Sequence, residues 1–382
     1  MSELTIHGWA ERAFPEMTAD LRTLVELETP SDDKALLSAG IAAIERWLTE
    51  RLGEPGERRM HDGGKYGDAL EVSYPGTAPG TVLVLCHYDT VWPEGTLAEW
   101  PLTVDGDRAS GPGAFDMKLG LVQAVWALQC LSELGMPRPT VRLLLNGDEE
   151  IGSPVARPII ERLSEDVLAT LVCEGAADGN LKTVRKGVGL FDVTVAGVES
   201  HAGLDPDAGV SAIHELARLV GQIATFGDRE RGTTVNVGLI EGGTGCNVVA
   251  GSATCGIDVR VSEPDEMARI DAAFAALRTS DSRASVTVTG EWNRPPMVPN
   301  PGSEDLFGIA EGVAVEAGWE LGQVGVGGAS DGNFVSALGR PVLDGLGAVG
   351  GGAHARHEHV LLDHVPGRTA LIAGLLMALA GT

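Results

Sequence analysis

Three short apolar runs in the first half of the chain each end in residues that can ligate metals or carry protons. Thr81-Val-Leu-Val-Leu-Cys86 is followed by His87-Tyr-Asp89, Val141-Arg-Leu-Leu-Leu-Asn146 by Gly-Asp-Glu149-Glu150, and Leu168-Ala-Thr-Leu-Val-Cys173 by Glu174. Helical patterns near residues 33 to 51 and from Lys118 to about Leu134 alternate with these runs, which predicts an α/β layer on a mostly parallel sheet. Ligands of such sheets bind outside the carboxyl ends of the strands, where loops converge. The pattern therefore constrains fold and site together: three strands deliver imidazole and carboxylate groups to one rim. Any one of these acids alone is ordinary loop polarity; the joint placement argues for chemistry.

The texture changes between about 187 and 294. An alternating strand (Leu190 to Ala196), a helix (Val210 to Thr225), two strands (Thr233 to Ile240, Ser252 to Val261), a helix (Pro264 to Leu277) and a strand (Ala284 to Thr289) follow in turn. This β-α-β-β-α-β order predicts a ferredoxin-like α+β domain, 187–294, inserted into a discontinuous catalytic domain, 1–186 and 295–382. The chain is expected to close on an amphipathic helix near 366 to 380.

Composition narrows the partners. Against 28 Lys and Arg stand 54 Asp and Glu, a formal charge of −26 with no basic stripe, so neither nucleic acid nor an anionic membrane surface is an expected partner. No run reaches the roughly 18 apolar residues of a membrane span. Glu3, Glu11, Arg12, Glu16, Asp20 and Arg22 interrupt the first thirty residues, so no secretory signal is expected. The five cysteines, Cys86, Cys130, Cys173, Cys246 and Cys255, show no CxxC spacing and read as buried free thiols of a cytoplasmic protein.

At the rim, a carboxylate two positions after His87 can orient the imidazole and raise its basicity, as partners of metal-bound histidines do. Asp116 follows a glycine-rich turn at a helix start; it could cap that helix, or bridge two cations with its two oxygens. Glu149 and Glu150 repel one another unless cations or protons compensate. One can bind a metal while the other, aimed differently, acts as a base toward water.

The segments His87-Tyr-Asp89-Thr-Val, Gly111-Pro-Gly-Ala-Phe-Asp116-Met-Lys-Leu-Gly120, Asn146-Gly-Asp-Glu149-Glu150-Ile-Gly-Ser, Cys173-Glu174-Gly and His354-Ala-Arg-His-Glu358-His-Val360 occur in that order. Together they resemble the co-catalytic dizinc metallopeptidases that include glutamate carboxypeptidase, acetylornithine deacetylase, succinyl-diaminopimelate desuccinylase, tripeptide aminopeptidase and aminoacylase. The resemblance covers nearly the whole chain and is nearest to the glutamate carboxypeptidase branch, toward which Glu174 also leans. It implies two zinc ions per subunit, with cobalt or manganese as alternatives. His87, Asp116 and Glu174 would hold one ion and Asp116, Glu150 and His354 the other, with Glu149 as general base and Asp89 as partner of His87. His357 is the fallback for His354.

By the same resemblance, His201 in Glu199-Ser-His201-Ala-Gly203 would reach the partner subunit's site and polarise the scissile carbonyl. Asn247 and Arg260 would hold a substrate carboxylate, and Gly328 and Ser330 lie in a stretch matching the family's glycine-rich substrate loop. Arg185 and Lys186 read either as a further anion contact or as solvated hinge residues. The expectation is a cytoplasmic homodimeric carboxypeptidase acting on a small peptide or N-acyl amino acid and releasing a C-terminal Glu or similar residue. The alternatives are an N-acyl-amino-acid deacylase and a catalytically silent binding protein on the same fold.

Overall fold

A computed structural model describes residues 5–381, and the chain forms two compact units. One comprises the chain up to Val184, Pro299–Val326 and the chain from Ser330; the other is Arg185–Val298 with Gly327–Ala329. In the first unit the run Thr81–His87 is buried at every position but Thr81, as suits a strand covered on both faces. It pairs in parallel with Thr140–Asn146 on one side and Ala169–Val172 on the other. Val342–Leu343 extends the parallel part, while Ala69–Tyr74 and Glu57–His61 add an antiparallel flank. Three of the five pairings are parallel, so the fold is the α/β class with a mostly parallel sheet.

The helices Ile6–Val25, Leu119–Glu133 and Val365–Ala378 pack against one another beside this sheet. Leu119–Glu133 stops as its sequence predicts: Gly135 takes φ +65°, and the N–H of Met136 reaches back to the Leu131 carbonyl at 2.9 Å. Asp20 is the polar pin of the layer, accepting from the Trp126 indole at 2.8 Å and from the Arg51 guanidinium at 2.8 Å through each oxygen.

Two sequence expectations need correction. Val365–Ala378 is not amphipathic: nearly every residue from Val365 to Leu376 is buried, because the helix touches three others. An 18-residue window within Leu362–Gly381 has the length and mean hydropathy, 1.2, of a membrane span, yet 67% of that window is buried inside the protein, as in a core helix. Of the cysteines, Cys246 is exposed; the other four are buried, and all five are free.

The second unit has a four-stranded antiparallel sheet in the order Thr234–Gly242, Ser252–Val261, Gly187–Ala196, Ser285–Arg294. The alternation along Gly187–Ala196 sends Phe191, Val193 and Val195 inward, where they meet the helices Ala212–Ile223 and Pro264–Ala275. Gly327–Ala329 belongs to this unit because the buried Arg185 donates to the carbonyls of Gly328 at 3.2 Å and Ala329 at 3.3 Å.

Gly120 marks how closely the helix after Asp116 approaches a strand end, since a Cβ there would lie 1.9 Å from the Cys173 carbonyl oxygen. Backbone cannot yield as a flexible side chain does. Gly120→Ala is therefore expected to destabilise the protein by about 1–3 kcal/mol, read as a lowered Tm; an unchanged Tm would show that the contact is slack.

Candidate metal centre

The parallel register builds the first arm of the site. Leu85 stands opposite Val172 and His87 opposite Asn146, so the loops after all three strands leave from one rim. A small antiparallel sheet builds the second arm. Arg108–Ser110 pairs with His359–Leu361, with Ser110 opposite His359, which brings the loop carrying Asp116 beside the turn carrying His354. That histidine sits at φ +61°, a left-handed conformation costly for a residue with a Cβ and retained only where the surroundings impose it.

Side chains from the two arms meet. His87 Nε2 lies 3.2 Å from Asp116 Oδ1 and 3.4 Å from Glu174 Oε1. His354 Nε2 lies 3.3 Å from Asp116 Oδ2 and 2.9 Å from Glu150 Oε2. Asp116 thus turns one oxygen toward each imidazole, the disposition of a bridging carboxylate. Glu149 joins His87 and Glu174 in a group whose ligand atoms fall within 4.8 Å of one another, as do His87, Asp116 and Glu150. His357 lies outside these groups, its carbonyl accepting from Arg108.

Asp89, fully buried, braces the site twice. Its carbonyl oxygen is 3.0 Å and its Oδ1 3.4 Å from His87 Nδ1. Its carboxylate also accepts the backbone N–H groups of Glu149 and Glu150, each at 3.2 Å. The Ser31 hydroxyl completes the shell at 2.8 Å. Sequence reasoning missed Ser31, 58 positions away in an unremarkable loop.

The crowding shows in the proton affinities. Burial would raise Asp116, but hydrogen bonds from His354 and His87 outweigh it and hold the carboxyl far below the usual range. Hydrogen bonds to Asp116 and Glu150 push His354 up to about 11. Burial disfavours a charged His87, yet Asp116, Asp89 and Glu174 drive its affinity well upward. Glu150 rises to about 7, chiefly by burial, against the pull of His354. The shifts of Asp116, His354 and His87 express one demand, for positive charge among packed carboxylates.

The donor set fits a divalent transition ion. Tetrahedral ligands about 2.0–2.1 Å from zinc stand about 3.3 Å apart, and the four imidazole–carboxylate separations run from 2.9 to 3.4 Å. Imidazole ligands favour zinc and its neighbours over calcium or magnesium. A cavity of about 360 Å³ lined by His7, Asn180, Trp319 and Arg368 contains none of these residues, and the centre is recognised by its donors.

Residues 83–378 match Peptidase family M20/M25/M40. The chain belongs to that family. Its members are metal-dependent peptidases, and the matched span includes every residue of the cluster. The chain is 30% identical over 381 residues to carboxypeptidase G2 from Pseudomonas sp. strain RS-16, covering 96% of this chain and 89% of that one. It shares its fold with aminopeptidase PepT from Bacillus cereus, at a TM-score of 0.79 and 21% identity over 96% of this chain and 99% of that one. Bacillus subtilis YXEP, described as a dinuclear metal binding peptidase from the M20 family, superimposes with a TM-score of 0.70 at 15% identity, covering 97% and 99%.

The remaining expected site residues of this M20 peptidase are placed as follows. His201 is exposed, and its Nδ1 accepts the backbone N–H groups of Gly203 at 3.1 Å and Leu204 at 3.0 Å. Asn247 is exposed. Arg260 is held by its own strand neighbour Asp258, through Nε at 2.9 Å and Nη2 at 2.8 Å. Gly328 lies where Arg185 grips its carbonyl. Arg185 is buried, which rules out a solvated hinge, and Lys186 Nζ donates to the Gly232 carbonyl at 2.5 Å. Ser330 is fully buried with its hydroxyl committed to Asp344 and the Gly332 N–H, so its surroundings do not suit a substrate contact.

The two-sided placement of Asp116 generates a test. Asp116→Ala is expected to deplete both metal positions together, since ions about 3.5–4 Å apart need a shared anion. Metal per chain by atomic emission measures it; full metal content in the variant would contradict a bridging role.

Proposed function

We propose that this M20 peptidase is a dizinc carboxypeptidase that releases a C-terminal amino acid, Glu or a similar residue, from peptidyl or N-acyl substrates. The observation that carries the reading is the two-sided placement of Asp116, one oxygen toward His87 and the other toward His354, with Glu150 on His354 and Glu149 grouped with His87 and Glu174. Similarity to carboxypeptidase G2 along 96% of the chain supports the carboxypeptidase direction.

In this reading His87, Asp116 and Glu174 hold one ion, and Asp116, Glu150 and His354 the other. When bound, such ions act as Lewis acids toward the scissile carbonyl and lower the pKa of the attacking water. Glu149 accepts the water's proton and delivers it to the departing amine nitrogen. Asp89 keeps His87 oriented and holds the Glu149-Glu150 backbone in place. With Nδ1 of His201 occupied as an acceptor by two N–H groups, the neutral ring carries its proton on Nε2, and that N–H is the donor for a carbonyl oxygen developing negative charge. Arg260 retains Nη1 for a substrate carboxylate, beside an Asp258 that fixes the guanidinium plane, and Asn247 offers an amide to the same group.

We further propose that the protein is a homodimer joined through the inserted unit, with His201 acting in the partner's site. Thr234–Gly242 is an edge strand that leaves Leu239 75% and Ile240 63% exposed, and pairing such edges across a two-fold axis satisfies free backbone groups. A cytoplasmic setting fits five free thiols, one of them at the surface.

Glu149→Gln is expected to abolish hydrolysis of N-acyl and peptidyl glutamates while keeping about two metal ions per chain, whereas Glu150→Gln loses one; equal metal loss in both would overturn the role assignment. For assembly, inactive Glu149→Gln and His201→Ala proteins are mixed under conditions that exchange subunits. Action across the interface gives one whole site per mixed dimer and returns activity. No recovery, with exchange verified by mass, would show that each chain uses its own His201.

A further inference from the structure

We propose that Glu358 is a positioning residue of the metal centre: its carboxylate, by holding the backbone N–H groups of Gly113, Phe115 and Asp116 at once, sets where the bridging Asp116 stands relative to His354. The inference rests on the dimetal reading above. Glu358 is fully buried, 0% exposed. Its Oε1 accepts from Phe115 N at 2.9 Å and Asp116 N at 3.1 Å, and its Oε2 from Gly113 N at 3.1 Å and the Trp92 indole Nε1 at 2.9 Å. Four donors converge on two oxygens, and three of them belong to the loop that presents the shared ligand.

The same residue anchors the opposite arm. Its backbone N–H closes the turn onto the Ala355 carbonyl at 2.8 Å, one residue from His354. The Ser110 hydroxyl donates to its carbonyl at 2.6 Å, tying it to the strand that leads into the Asp116 loop. The distance between the Asp116 and His354 side chains is thus fixed through one residue bonded to both segments. A neutral amide cannot replace it: Gln has one acceptor oxygen, and its NH2 would face two N–H donors. The carboxylate also adds negative charge behind Asp116, which favours a dication in front of it. Partners of this kind outside the ligand shell typically change metal affinity 10–100-fold.

The test compares wild type, Glu358→Gln, Glu358→Asp and Asp20→Asn. Asp20 is likewise a buried carboxylate taking an indole N–H, but it lies in the helical layer. After stripping with a chelator, zinc affinity is measured by competition with a chromophoric chelator, the cobalt-loaded forms by visible absorption, and the metal-free forms by Tm. Glu358→Gln is expected to weaken zinc binding about 10–100-fold and to alter the cobalt spectrum. Glu358→Asp, which keeps the charge, shifts both in the same direction by less. Asp20→Asn lowers Tm while leaving affinity within a factor of about two, as distant sites do.

Wild-type affinity and spectrum in Glu358→Gln, even with a lowered Tm, would overturn the inference and leave the residue as mere packing. Should that variant not fold, unchanged affinity in Glu358→Asp overturns it equally. A wild-type protein that binds no zinc or cobalt would instead sink the dimetal reading itself.

Discussion

The parallel pairing of Thr81–His87 with Thr140–Asn146 and Ala169–Val172 is the constraint on which the rest of the catalytic unit depends. Side chains alternate faces along a strand, so a slip of one residue would turn the buried apolar set outward. The register is therefore held by burial of Val82, Leu83, Val84, Leu85, Val141, Leu143, Leu144, Leu145 and Leu171, none of which touches the chemistry. Once it is set, His87, the Glu149-Glu150 turn and Glu174 have no choice but to share a rim.

That gathering has an electrostatic cost. Two like charges about 4 Å apart repel by about 4 kcal/mol at an effective dielectric of 20, and Asp89, Asp116, Glu149, Glu150 and Glu174 all lie around two imidazoles. The protein meets part of the cost with dipoles: backbone N–H groups of Glu149 and Glu150 on Asp89, and those of Gly113, Phe115 and Asp116 on Glu358. The remainder calls for cations at the ligand atoms themselves. A stable fold with such a surplus of buried acid is therefore an argument about function, and it agrees with membership of a metal-dependent peptidase family.

The inserted unit solves a different problem. Its sheet needs helices on one face only, and Phe191, Val193, Val195, Cys255, Ile257 and Val259 supply that face by simple alternation. The sequence pattern located all four strands and both helices, although Gly187–Ala196 starts three residues earlier than the alternation suggests, because Gly187, Val188 and Gly189 are also buried. The tautomer of His201 and the grip of Asp258 on Arg260 could not be read from the pattern, since each depends on where a backbone N–H or a neighbouring carboxylate falls in space.

Local rules reach as far as local physics does. Apolar runs ending in His and carboxylates, a glycine stop after Leu134, and the β-α-β-β-α-β order depend on neighbouring residues, and from sequence alone they located Thr81–His87, Thr140–Asn146, Leu119–Glu133 and the elements of the inserted unit, but not Ile6–Val25 or the antiparallel flank Glu57–His61 and Ala69–Tyr74. What lies far apart in the chain was settled only by packing. Val365–Ala378 looks amphipathic until three helices close around it, and Ser330 looks like a loop hydroxyl until Asp344 takes it inside. Ser31 reaches Asp89 across 58 positions, and Glu358 reaches Gly113 across 245. Contacts of that span carry no periodicity or spacing signal, because the chain between them adds only loop length; the folded core alone decides that they meet.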